Sequence, residues 1–218
     1  MVSHGEIICR KKMSVEMDYN EGRIELIVGP MFSGKSTELF RRVHKHILAG
    51  KNVTVVKWAG DNRYDDSRAA THDGRKLKAV IADNLSSVKY NDFDIIAIDE
   101  GQFFPDLKQF SIKMANQGKI IIIAALDATF EVKPFGDTCE LIPHAESVVK
   151  LHGVCALCGK RASFTRRIVS NTEEKLIGGL ESYIATCRKC FYSEDVEPYR
   201  LQNYKRNVST LQDILGIK

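Results

Sequence analysis

The run Gly29-Pro30-Met31-Phe32-Ser33-Gly34-Lys35-Ser36 constrains this chain more than any other stretch. It has the form G-x-x-x-x-G-K-[ST], a loop whose backbone amides cradle phosphate. Its flanks set it apart from a chance glycine turn. Residues 23–28 read R-I-E-L-I-V, an apolar run suited to a strand buried on both faces. Beyond Lys35, the residues Leu39, Phe40, Val43 and Ile47 recur at helical spacing, and Gly50 supplies a C-terminal cap. A helix is therefore predicted from about 35 to 49. The glycines let the backbone curl so that successive amides point at a polyphosphate, and the helix N-terminus adds the positive end of its dipole. Lys35 is expected to reach the terminal phosphates and Ser36 to hold a bridging Mg2+. The candidate cradle runs from Gly29 through Thr37.

A second stretch, 93–100, reads F-D-I-I-A-I-D-E, an apolar strand ending in two acids. In phosphate-loop proteins an Asp at such a strand end helps to hold Mg2+, which is the role expected of Asp99. Glu100 is placed to take a proton from an attacking hydroxyl or water. Taken alone, an Asp-Glu pair is as well read as a solvated strand end; the loop at Gly29 favours the metal site. Residues 105–117 alternate Leu107, Phe110, Ile112 and Met114 with polar residues, end before Gly118 and predict an amphipathic helix. Residues 119–126 predict a buried strand. Strands alternating with helices imply right-handed crossovers and a parallel sheet, with ligands at the carboxyl ends of the strands. Residues 127–136 leave that same edge. Phe130 and Phe135 there suit either covering a base or packing in the core. The polar stretch 60–75 reads as a long functional loop.

Composition narrows the class. With 218 residues, 44% hydrophobic and 28% charged, the chain can form one main domain without disulfide staples. A net charge of +4 suits an anionic substrate and is weak support for nucleic acid. The best apolar run, 120–126, is too short to span a bilayer, and no apolar signal segment opens the sequence. The expectation is a cytoplasmic protein with reduced thiols. Residues 1–22 read as a mobile leader whose cluster Arg10-Lys11-Lys12 is too small for a nucleic-acid address.

Cys155-x-x-Cys158 and Cys187-x-x-Cys190 form the third constellation. The 28 residues between the pairs exceed the usual gap of about 15–20, but an intervening hairpin lengthens without moving the knuckles. Four thiolates make a closed, structural Zn2+ site with no open catalytic position. Between the pairs, Ile177-Gly178-Gly179-Leu180 is permissive backbone followed by Tyr183, a good substrate lid. Arg166-Arg167 reads as a solvated charge pair.

These pieces together resemble the zinc-containing class of thymidine kinases, the family of cytosolic and poxviral enzymes. The matching motifs are G-P-M-F-S-G-K-S-T-E-L at 29–39, D-N-R-Y at 61–64, T-H-D at 71–73, I-D-E-G-Q-F-F at 98–104, A-A-L-D-A-T-F at 124–130, K-P-F-G at 133–136, the two Cys pairs, and I-G-G with Tyr183. They cover roughly residues 23–192. Ala128 departs from the family, standing where many members have Gly. The resemblance implies transfer of the γ-phosphate of ATP to the 5′-hydroxyl of thymidine, with deoxyuridine a possible second acceptor, in nucleoside salvage for DNA synthesis. It implies Glu100 as general base and Arg63 as the neutraliser of the transferred phosphate. ATP and Mg2+ are then held by the cradle with Asp99 and Gln102. Phe104, Leu126, Phe130, Phe135, Thr165, Ile177, Gly178 and Tyr183 surround the nucleoside. A homotetramer and feedback inhibition by thymidine triphosphate are further implications, with no membrane or nucleic-acid partner.

The expected fold class is α/β, a P-loop NTPase (RecA-like) parallel sheet with a small C-terminal zinc-ribbon or lasso subdomain. The expected divisions are a flexible leader at 1–22, an ATP-binding domain at 23–150, a zinc-binding lid at 151–192 and a tail at 193–218, which suits docking on the domain or on a neighbour. The alternative is a zinc-ribbon P-loop ATPase acting on nucleic acid. Against it, no stripe of interleaved basic and aromatic residues is visible. A nucleotide sensor is a third option, one that needs neither Glu100 nor Arg63.

Overall fold

The apolar runs of the sequence become the centre of one sheet. The structure is a computed structural model that describes residues 22–60, 79–170, 173, 176–193 and 198–215. The leader and the polar stretch containing Arg63 lie outside the described residues. Six strands, β1 (Arg23–Val28), β2 (Val53–Trp58), β3 (Ala79–Ala82), β4 (Ile95–Ile98), β5 (Ile120–Ala125) and β6 (Ser147–Lys150), lie in the order β3-β2-β4-β5-β1-β6. Every pairing is parallel. The three central strands show why their sequences lack alternating polarity. Ile24, Leu26, Val28, Ile96, Ile98, Ile121 and Ile123 bury on one face, against Leu107 and Phe110 of helix α2 once that helix folds over them. Ile27, Ile95, Ala97, Ile120 and Ile122 bury on the other, against Leu39 and Val43. Each large aliphatic side chain so buried contributes ~1.5–3 kcal/mol.

Helix α1 (Lys35–Leu48) covers the second face and α2 (Leu107–Asn116) the first. Gly34 at the start of α1 is left-handed, with φ 83°, and its carbonyl accepts from the Glu38 amide at 3.0 Å. Arg42 on α1 pairs with Glu25 of β1 at 2.9 Å and with Glu38 at 2.9 Å, fixing helix to strand. The edge strands β3 and β6 were not legible from sequence. Both are only four residues long and partly exposed, and A-V-I-A and S-V-V-K are too short to stand out as strands. Strand β2 ends on Trp58, at the edge where the phosphate loop also lies. Helix α2 begins at Leu107, the first apolar residue of the stretch 105–117.

Beyond β6 the chain builds a small second core. β7 (Gly153–Val154) pairs antiparallel with β8 (Arg161–Ala162), and β9 (Phe164–Arg167) pairs antiparallel with β10 (Tyr183–Thr186). A short helix α3 (Arg188–Phe191) follows. Cys155, Ala156, Leu157, Ala162, Ile184 and Ala185 bury together. The polar tail includes a helix, α4 (Pro198–Leu215), whose Leu201 and Tyr204 pack on this core. Arg200 donates to the Leu157 carbonyl at 3.2 Å. Among the described residues no helix is long and apolar enough to cross a membrane.

The two cores meet at the end of β1. The Leu151 amide donates to the Val28 carbonyl at 2.8 Å. Gly29 follows with φ 147°, and a Cβ placed there would lie 2.5 Å from the Leu151 carbonyl oxygen. Neither the dihedral nor the space admits a side chain. Gly29→Ala is expected to lower unfolding free energy by ~2 kcal/mol or more, read by urea denaturation. A native-like midpoint would show that this junction is looser than its geometry.

Candidate active site

The loop between β1 and α1 is a concave nest. Phe32 has φ 62° although it carries a side chain, and Gly34 has φ 83°. Left-handed residues set among right-handed ones turn successive amides inward, which makes an anion-binding surface. The Ser33 hydroxyl donates to the Pro30 carbonyl at 2.8 Å, and the Lys35 ammonium donates to the same carbonyl at 2.8 Å. The Lys35 charge therefore lies across the mouth of the loop.

Parallel pairing brings the acids to this loop. The Ser36 hydroxyl donates to Asp99 Oδ1 at 2.9 Å. Burial, with the neighbouring Glu100 charge adding to it, pushes the Asp99 carboxyl up to about 6; the Ser36 hydrogen bond, Lys57 and Lys35 oppose that rise. A buried carboxylate joined to a hydroxyl at the phosphate end is a hard-oxygen donor set of the kind Mg2+ takes.

Glu100 is held in a left-handed conformation, φ 55° and ψ 43°, a position that costs ~1 kcal/mol or more for a non-glycine residue. Gln102 fixes its carboxylate. The Gln102 amide nitrogen donates to Glu100 Oε2 at 2.6 Å, and the Gln102 carbonyl oxygen accepts from the Leu126 amide at 2.9 Å. Gln102 is itself buried. Expected among the phosphate-binding residues, it instead has both ends of its amide committed to Glu100 and to the end of β5.

One cavity connects these groups. Met31 to Thr37 line one end, Glu100 lies along the wall, and Leu126, Phe130, Phe135, Thr165, Leu176, Ile177, Gly178 and Tyr183 enclose the other end. Seven of the eight residues expected around a nucleoside thus converge. The exception is Phe104, which turns into the main core at 2% exposure. The ring on the cavity is that of Phe103, stacked on Trp58 at 4.5 Å and edge-on to Phe135 at 5.5 Å. Phe103 is directed by the 3-10 turn after Glu100, and Trp58 reaches the cavity from the end of β2; neither placement is written in local sequence. Gly29 and Pro30 shape the loop from outside this cavity, and Asp99 reaches it through Ser36. Phe130 and Phe135, ambiguous in sequence, both face the cavity.

The second core is tied directly to the phosphate loop. The Met31 amide donates to Thr165 Oγ1 at 2.9 Å, joining β9 to the nest. On the far side, the Sγ atoms of Cys155, Cys158, Cys187 and Cys190 lie within 4.8 Å of one another, with Cys158 and Cys187 at 3.6 Å. A tetrahedral zinc with Zn–S bonds of ~2.3 Å sets its sulfurs about 3.8 Å apart, so the four thiols fit that ion. His152 is directed elsewhere, with Nδ1 3.1 Å from the Ser163 hydroxyl. Cys139, half-buried, donates to the Asp127 carbonyl at 3.2 Å and lies apart from the cluster.

The sequence model of the family described as "Thymidine kinase" matches residues 22–191. The chain belongs to the thymidine kinase family. It is 49% identical to the thymidine kinase of Variola virus over 174 residues, 79% of this chain and 98% of that one. It is 50% identical to that of Vaccinia virus, strain Western Reserve, over the same length and with the same shares. Against that of Sheeppox virus, strain KS-1, identity is 52% over 180 residues, 82% of this chain and all of the relative. Helix α4 lies beyond the residues that the family's sequence model matches.

The cysteine cluster generates a direct test. Cys187→Ser is expected to reduce bound zinc from about one ion per chain towards none and to lower the melting temperature, because metal affinity here is also folding energy. Metal analysis beside a thermal melt checks this; a zinc-free, equally stable wild type would remove the structural metal.

Proposed function

We propose that this chain transfers the γ-phosphoryl group of ATP to the 5′-hydroxyl of thymidine, giving thymidine monophosphate in nucleoside salvage. The observation that carries the reading is the single cavity running from the phosphate nest to an aromatic chamber, with Glu100 on the wall where the two ends meet. An oxygen nucleophile bound in the chamber then faces the terminal phosphate in the nest. Membership of the family disfavours the nucleic-acid-driven ATPase.

Phosphoryl transfer passes through a loose transition state, so placement of charge matters more than nucleophile strength. The 5′-oxygen bonds to the γ-phosphorus, the bond from phosphorus to the β-γ bridging oxygen breaks, and ADP leaves. Glu100 orients the hydroxyl and accepts its proton, with Gln102 holding the carboxylate in place. Lys35 and the loop amides stabilise charge on the phosphates. Ser36 and Asp99 are the residues that would hold Mg2+, which supplies charge neutralisation when bound. Arg63 is assigned to the transferred phosphate from the family motif alone. The four cysteines would hold a structural zinc that anchors the lid. The resemblance further implies a cytoplasmic homotetramer inhibited by thymidine triphosphate, testable by sedimentation and by inhibition kinetics.

Substrate dependence of ADP release decides the reading. With Mg-ATP and a panel of thymidine, deoxyuridine, deoxycytidine, deoxyguanosine and single-stranded DNA, stimulation by thymidine with an equal yield of thymidine monophosphate is expected. Stimulation by DNA alone would overturn it. Glu100→Gln is expected to lower kcat by ~10²-fold or more, measured at saturating thymidine; near-native turnover would take the base role from Glu100.

A further inference from the structure

The adjacent arginines of β9 face opposite ways, as strand neighbours must. Arg166 donates to the Cys190 carbonyl at 2.7 Å and to the Ser193 carbonyl at 2.8 Å, serving the cysteine end of the lid. Arg167 turns towards the back of the chamber wall formed by Phe130 and Tyr183. It lies directly across from Tyr183 in the β9–β10 register, and its Nη2 donates to the Tyr183 hydroxyl at 2.6 Å. That hydroxyl in turn donates to the Leu176 carbonyl at 2.8 Å. Arg167 Nη1 donates to the Glu173 carbonyl at 2.5 Å. The guanidinium carbon sits 3.7 Å from the centre of the Phe130 ring.

We propose that Arg167 is a positioning residue that locks the nucleoside chamber by holding the Phe130 ring, the Tyr183 ring and the lid backbone in one arrangement. Phe130, Tyr183 and Leu176 line the cavity while Arg167 stands behind them, so it acts through these groups and not on the substrate. Two stretches distant in sequence converge here: the segment after β5, through Phe130, and the β9–β10 hairpin, whose connecting residues Glu173 and Leu176 supply carbonyls to Arg167 and Tyr183. A planar guanidinium can offer separate donors to a phenol and a carbonyl while its face covers a ring. A lysine ammonium cannot do all three. Left without Arg167, the lid must be ordered by the nucleoside itself, which weakens binding. The phosphate end is built by other residues and should be spared.

This inference rests on the thymidine kinase reading. The test uses full-length wild type, Arg167→Lys, Arg167→Met, Tyr183→Phe and the double variant Arg167→Lys/Tyr183→Phe, with KM for thymidine and ATP, kcat and melting temperature measured for each. Expected in both Arg167 variants is a rise of about tenfold or more in thymidine KM, with ATP KM within about twofold and a smaller change in kcat. If Arg167 acts through the Tyr183 hydroxyl, the Lys and Phe effects on thymidine KM combine to less than their product. Unchanged thymidine KM in both Arg167 variants, or multiplicative effects, would overturn the proposal. So would parallel rises in both KM values with a fall in melting temperature, the mark of a merely structural residue. A wild type inert toward thymidine would overturn the function and the inference together, whereas an active wild type with unaffected variants overturns the inference alone.

Discussion

The register of β5 between β1 and β4 is the constraint on which the site depends. Ile123 of β5 pairs with Leu26 on one side and Ile98 on the other, and Ala125 pairs with Val28. Parallel strands so aligned end at the same edge, and whatever follows them shares it. The phosphate loop follows β1, Asp99 and Glu100 follow β4, and Leu126 follows β5. A one-residue slip would turn the buried set of a strand to the opposite face, so packing on both faces holds the register that assembles the chemistry.

Phe32 and Glu100, both at this edge, sit in left-handed backbone. Such conformations persist only where surroundings over-determine them. For Glu100 the surroundings are visible. Its own amide donates to Asp99 Oδ1 at 3.1 Å, and Gln102 bridges its carboxylate to the Leu126 amide. The acid that would meet the nucleophile is thus fixed from behind by buried groups, leaving little freedom to be lost when a substrate arrives.

The second core shapes the other end of the cavity. It touches the nest through the hydrogen bond from the Met31 amide to Thr165 and where Gly153 passes close to the Phe32 carbonyl. From there the β9–β10 hairpin projects Tyr183 over the chamber while the cysteine cluster fastens its far end. One small core therefore joins the phosphate loop, the walls of the chamber and the four-cysteine cluster.

The sequence by itself determined the phosphate loop, the paired acids, the central strands and the metal knuckles, because each is a local pattern whose chemistry is written in residue types at fixed spacing. It also carried the family resemblance, through motifs in order along the chain. Tertiary structure decided what depends on contacts between distant segments. The edge strands β3 and β6, four residues each, are defined by pairing with β2 and β1 and not by a long apolar run of their own. Gln102 became the brace of Glu100 only because β5 delivers the Leu126 amide to it. Phe103 rather than Phe104 faces the cavity because a 3-10 turn sets which side of the chain points inward. Arg167, indistinguishable from Arg166 as one of two basic neighbours, is drawn inside by Tyr183, Glu173 and Phe130, partners that adjacency in sequence does not reveal.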